Sequence, residues 1–187
     1  MAQYALKLPL KEEDARMLRA GDTVLLTGPL LTGRDAAHKR LIALLDEGRP
    51  LPVDLAGETI YYVGPAPASP GHACGSAGPT SSYRMDLYTP RLLRLGLRCM
   101  IGKGKRSEEV RRAMQECGAV YLGAVGGAAA LIARSIEKTQ VLCYEDLGTE
   151  AIHRFIVRDF PAIVLMDSVG GNLYASGPAQ YRLEDEA

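Results

Sequence analysis

Between residues 97 and 122 an apolar run, an amphipathic stretch and a second apolar run follow one another, and no other segment limits the fold as strongly. Residues 97–101 read as a strand. Ser107 can cap a helix start, and Val110, Ala113, Met114 and Cys117 then recur on one helical face. Residues 119–122 return to strand. A strand–helix–strand unit of this kind joins parallel neighbours, so the sequence predicts an α/β fold with at least a partly parallel sheet.

The flanks fill in around this unit. A short helix over 12–18 ends at Gly21 and leads into a strand at 23–27, after which Gly28-Pro29 reads as a turn. Thr32 can cap a helix in which Ala37, Leu41, Leu44 and Leu45 share a face until Gly48, while Arg34 and His38 lie on another. A strand follows at 59–63. From Pro65 to Gly78 proline and glycine recur too densely for helix or interior strand, and structureless loops of this length are commonly functional. Helices are predicted over 80–87 and from Thr89-Pro90 to Gly96, and a closely packed one over 126–134. Strands are predicted at 141–144, 154–157 and 162–166, suggesting a second sheet beside the first.

At 187 residues the chain is long enough for one domain with a full core, and residues 179–187 read as a charged, fraying tail starting from Ser176-Gly-Pro178. Lys+Arg and Asp+Glu both number 22, a balance that argues against affinity for nucleic-acid phosphates or an acidic membrane surface. Trp is absent and Phe numbers 2, so base stacking on aromatic platforms is also disfavoured. No apolar run approaches a membrane span and the first ten residues lack a signal-peptide core, so the expected location is the cytoplasm. Cys74, Cys99, Cys117 and Cys143 are widely spaced, without a C-x-x-C pair or a nearby histidine. Neither a complete metal site within this chain nor a disulfide framework is expected, and Cys74 is the thiol to watch. His38, His72 and His153 are scattered and read as structural or surface residues.

Three places set cations or hydroxyls beside glycine near a predicted helix start or strand end, where free amides favour anions. They are Thr32-Gly-Arg34, Gly78-Pro-Thr-Ser-Ser-Tyr-Arg84 and Gly102-Lys-Gly104, the last placing Lys103 at the carboxyl end of a strand, where ligands of open α/β sheets collect. Each has a plainer reading: Thr80 or Ser81 as an ordinary cap, each arginine as a solvated charge, Lys103, Lys105 and Arg106 as a solvated basic loop. Asp86 could pair near Arg84 or face water. The P-loop spacing is missing, which disfavours a nucleotide site. The pattern alone supports an anion-binding α/β domain.

Five strings carry a more specific resemblance. Leu30-Leu-Thr-Gly-Arg-Asp-Ala-Ala-His-Lys39, Gly75-Ser-Ala-Gly-Pro-Thr-Ser-Ser-Tyr-Arg-Met-Asp86, Ile101-Gly-Lys-Gly104, Glu145-Asp-Leu-Gly-Thr-Glu-Ala-Ile152 and Asp159-Phe-Pro-Ala162 resemble, in order, the β subunit of iron–sulfur class I fumarate hydratase and L-tartrate dehydratase. The resemblance implies a swivelling β/β/α domain, a separate subunit in two-chain relatives, that completes an active site with a cluster-bearing α subunit. The 4Fe-4S cluster would be ligated by that partner and not by this chain.

Carried over by position, Arg34, Arg84 and Lys103 are expected to bind the carboxylates and developing charge of a C4 dicarboxylate, with Thr80 moving the proton and Lys103 sharing the catalytic role. A threonine hydroxyl is too weak an acid to ionise unaided, so the resemblance implies a partner carboxylate beside it. The implied activity is reversible hydration of fumarate to malate, with tartrate dehydration or a hydro-lyase for another hydroxydicarboxylate as alternatives, and a non-catalytic anion-binding module as an alternative of another class. The chain alone would be inactive, and could form a homodimer when unpartnered. Where the family more often has Thr and Gly, this sequence has Ser81 and Tyr83, and the bulk of Tyr83 beside Arg84 bears on the choice of substrate.

Overall fold

A computed structural model describes residues 2–182. The elements are β1 (Gln3–Lys7), α1 (Glu12–Met17), β2 (Thr23–Thr32), α2 (Asp35–Asp46), β3 (Thr59–Tyr61), α3 (Thr89–Arg94), β4 (Cys99–Gly102), α4 (Glu108–Cys117), β5 (Val120–Gly123), α5 (Ala129–Arg134), β6 (Ile136–Cys143), β7 (Ile152–Met166) and α6 (Leu173–Tyr181), with 3-10 turns at Ser82–Met85, Gly126–Ala128 and Glu145–Glu150.

The predicted parallel sheet is present: β2, β3, β4 and β5 pair in parallel, in sequence order. The expected second sheet is not a separate layer. β7 runs antiparallel to β5 and, on its other edge, antiparallel to β2, so the pairing β2–β3–β4–β5–β7–β2 closes into a barrel, extended by β1 on β2 and β6 on β7. Two strands long enough to carry this closure each run through a break that the sequence predicts. β2 continues through Gly28-Pro29, and the strands predicted at 154–157 and 162–166 are one, β7. Both signals for a break sit at a shared register shift, where Leu26 pairs Phe160 but Gly28 pairs Val157, with Asp159 at φ 48° between them. A bulge of this kind bends a strand instead of ending it. Pro29 is tolerated because β1 pairs only as far as Thr27 and β3 only from Leu31, leaving that edge free of a ladder.

Side chains alternate between two cores. Tyr61, Ile101, Val120, Leu122, Phe155 and Phe160 fill the barrel interior together with Leu18 of the 18–22 turn, while Ile60, Tyr62, Met100 and Tyr121 face outward onto α2, α3 and α4 through Leu41, Leu92, Val110 and Met114. Because both faces are covered, every residue of β3, β4 and β5 is buried. The helical face predicted for α4 is the one that packs, with Ser107 Oγ accepting from Val110 N–H at 3.3 Å and Gly118 closing the helix in the left-handed region.

Other expectations change. β1 precedes the helix read as the first element, and β6 begins five residues before the predicted strand at 141. Thr32 does not cap α2, because its hydroxyl accepts from His153 N–H; Glu150 serves instead, its carboxylate accepting from Ala36 N–H at 3.0 Å. The predicted helix over 80–87 is only the 3-10 turn Ser82–Met85, since Pro79, Thr80 and Ser81 lie extended against the ends of β3 and β4. The tail read from Ser176 is helical through Tyr181, and residues 183–187 lie outside the described residues. Among the described residues no helix is long and apolar enough to cross a membrane.

Candidate functional site

The three glycine-linked cation sites converge where the carboxyl ends of β2, β3 and β4 open. Gly33 and Arg34 follow β2, with Gly33 N–H donating to Tyr61 O at 3.2 Å. Thr80 docks on the end of β3, its N–H donating to Tyr62 O at 2.7 Å. Lys103 follows β4 and forms a parallel bridge with Ser81. Thr80 and Lys103 are therefore neighbours through Ser81, although 22 positions separate Ser81 from Lys103 in the sequence.

Arg34 and Arg84 are joined by one carboxylate. Asp35 places Oδ1 3.0 Å from Arg84 Nε and Oδ2 3.5 Å from Arg34 Nε, and Glu150 Oε1 lies 3.2 Å from Arg34 Nη2. Arg34 threads past Gly64, where an added Cβ would come within 2.8 Å of Nη1. Arg84 and Lys103 are exposed and Arg34 and Thr80 partly so, which leaves an open surface with three cationic side chains and one hydroxyl. Among the described residues no titratable side chain hydrogen-bonds the Thr80 hydroxyl. Tyr83 is 66% exposed, standing outward beside Arg84.

The neighbouring basic loop is not uniformly solvated. The Arg106 side chain is fully buried, donating through Nε to Asp86 Oδ1 at 2.6 Å and through Nη2 to Thr89 Oγ1 at 2.8 Å. Its guanidinium lies 5.3 Å from the Tyr62 ring centroid and 5.0 Å from that of Tyr121. Asp86 also accepts Ser107 N–H at 2.5 Å, so it pairs with Arg106 rather than near Arg84 or with water. His38 is buried against Tyr62, its Nδ1–H donating to Arg34 O at 2.9 Å, and burial pulls its imidazole down to about 4. His153 is half-buried, while His72 is exposed.

Sequence reasoning singled out Arg34, Thr80, Arg84 and Lys103, which the fold gathers at one end of the barrel. It missed Asp35 and Glu150, which orient the arginines, and Ser82 and Tyr121, which sit behind Lys103. Asp35 and Glu150 lie inside strings already singled out, but only folding brings Glu150 to Arg34 across 116 positions. Nor do the residues present fit an iron–sulfur cluster. Cys74 and Cys99 are buried, burial pushes all four thiols up, and among the described residues no group of three or more His, Cys, Asp or Glu side chains could hold a metal ion.

A closed, mostly parallel barrel flanked by helices defines an α/β domain, and Arg34, Arg84 and Lys103 gather on an open face at its strand ends. The chain belongs to the family described as Fumarase C-terminus, whose model matches residues 2–177. It is 40% identical over 173 residues to the anaerobic class I fumarate hydratase of Escherichia coli, covering 90% of this chain and 32% of that protein. It is 40% identical over 157 residues to fumarate hydratase 2 of Leishmania major, 83% and 28% of the two chains. With the putative L(+)-tartrate dehydratase subunit beta of Methanocaldococcus jannaschii it shares 37% identity over 171 residues, 88% of each chain. The chain thus spans about a third of the length of these fumarate hydratases.

Proposed function

We propose that this chain is the β subunit of a hydro-lyase that reversibly adds water to a C4 dicarboxylate, fumarate to malate. The observation that carries this reading is the meeting of Arg34 and Arg84 over Asp35 beside Thr80, Ser81 and Lys103, in a chain of the Fumarase C-terminus family. A C4 dicarboxylate presents two carboxylates at a fixed separation. The guanidiniums of Arg34 and Arg84 match carboxylates by paired N–H donation, and Lys103 adds a point charge where an enediolate would form. Thr80 would move the proton on the carbon beside the one that gains or loses hydroxyl, its own proton accepted by a carboxylate of the partner.

The open face fits one half of a shared site. The other half would come from an α subunit whose 4Fe-4S cluster binds and activates the hydroxyl, and this chain alone would be inactive. In that assembly the chain acts as one domain, the swivelling β/β/α part, and works in the cytoplasm. Dehydration of L-tartrate is the second reading, favoured by the 88% coverage of a tartrate dehydratase subunit beta, a relative of the same size. Tyr83 beside Arg84 would narrow or shift the choice among hydroxydicarboxylates. A non-catalytic module would keep the same cations with no partner to complete them.

The test is anaerobic co-expression with a cluster-bearing chain encoded beside this one, followed by fumarate absorbance with malate and tartrate supplied separately. Turnover requiring both chains is the expected result. A stable complex with a full cluster and no turnover of either substrate would overturn the fumarate and tartrate assignments.

A further inference from the structure

Every backbone polar group of Lys103 and Gly104 is tied down by Ser82, Tyr121 or Tyr174. Lys103 N–H donates to Ser82 Oγ at 3.1 Å, and Lys103 O accepts from Ser82 N–H at 2.9 Å. Gly104 N–H donates to Tyr174 Oη at 2.9 Å. Tyr121 Oη lies 2.9 Å from both Gly104 O and Ser82 Oγ. A phenol has one proton, and the carbonyl can only accept, so Tyr121 donates to Gly104 O. Ser82 then donates to Tyr121 Oη while accepting Lys103 N–H, so the hydroxyl protons of Ser82 and Tyr121 both have acceptors. Tyr121 is fully buried, which favours the protonated phenol this arrangement needs.

Space enforces the same arrangement. A Cβ on residue 102 would lie 2.0 Å from Ser82 Oγ, so the hydroxyl reaches β4 only because Gly102 has no side chain. Gly104 turns the backbone away at φ +87°. Ser82 also sits two residues from both Thr80 and Arg84, so it couples the segment that carries them to the segment that carries Lys103.

We propose that Ser82, Tyr121 and Tyr174 are positioning residues that fix the backbone from which Lys103 projects, holding its charge in register with Thr80 and Arg84. The catalytic consequence rests on the hydro-lyase reading; the lock itself does not. A charge that stabilises a transition state works only if it is already in place, and displacement by about 1 Å can cost about 100-fold in rate.

Two measurements test this. In the reconstituted two-chain enzyme, Tyr121→Phe is expected to lower kcat by about 10- to 100-fold with KM held within about threefold. In a Lys103→Arg background the same change should cost a much smaller factor, because a residue acting through Lys103 loses its effect once that side chain is altered. An equal factor in both backgrounds, or no loss at all, would overturn the positioning role. Amide hydrogen exchange on the full chain tests the lock directly: Ser82→Ala should speed exchange at Lys103, and Tyr174→Phe at Gly104, with the amides of β3 unchanged. Unaltered exchange at both sites would overturn the lock whether or not the enzyme turns over. If the wild-type pair hydrates no dicarboxylate, the hydro-lyase reading fails, and the exchange result still decides the lock.

Discussion

Arg34 and Arg84 owe their orientation to carboxylates of their own chain, and this shapes what substitutions there should do. Asp35 takes the Nε side of both guanidiniums, and Glu150 takes Nη2 of Arg34. These pairs are partly exposed, so their contribution to stability is small, about 0–1 kcal/mol each. Arg84→Ala and Thr80→Ala should therefore leave the urea midpoint of the chain nearly unchanged while lowering turnover of the reconstituted enzyme by at least about 100-fold; a near-normal rate would remove the residue from its assigned role. His38 behaves in the opposite way. Its folded imidazole is pulled from 6.5 to about 4 by burial, so the unfolded chain takes up a proton that the folded chain refuses. Stability is fully present above the unfolded value near 6.5 and is lost as pH falls toward 4, by roughly 3 kcal/mol in total. Urea midpoints measured across this range should fall with pH, and His38→Asn should flatten the slope; a slope unchanged by that substitution would place the acid sensitivity elsewhere.

Among the elements, the local ones were legible and the long strands were not. α3, α4, β4 and β5 carry their own start, face and stop signals within a dozen residues, such as Ser107 and Gly118 around α4. β2 carries Gly28 and Pro29 and β7 carries Pro161 beside the bulged Asp159 because both strands bend to close a barrel, and a bend and a turn use the same residues. Gly28 shows what the bend demands: φ is +133°, and an added Cβ would lie 2.7 Å from Leu8 O. Gly28→Ala should cost roughly 2 kcal/mol or more, read from urea unfolding; a loss within about 0.5 kcal/mol would show that β2 can straighten there. The buried Arg106–Asp86 pair likewise ties the end of the 3-10 turn to the start of α4. Arg106→Ala strands that carboxylate and should destabilise the chain by about 3–5 kcal/mol, whereas a neutral outcome in the same assay would mean water replaces the guanidinium.

For the whole molecule the main feature is a set of exposed large apolar side chains. Leu87 at 81% exposure and Tyr83 at 66% flank Arg84, and Val125 and Leu131 stand out at 60% and 59% on and beside α5. Apolar surface of this kind seeks cover, so the chain without a partner should self-associate. Light scattering at micromolar concentration should show a dimer, and a clean monomer would count against it. The sequence by itself determined the α/β class and the central strand–helix–strand unit, and marked Arg34, Thr80, Arg84 and Lys103 as candidates, because short-range periodicity, capping and glycine-linked motifs are local properties of the chain. Only the tertiary structure decided that the sheet closes through β2 and β7, that Asp35 joins two arginines, and that Arg106 is buried while nearby Lys103 is exposed. Each of these depends on contacts between residues far apart in sequence, whose energy exists only once the barrel has formed.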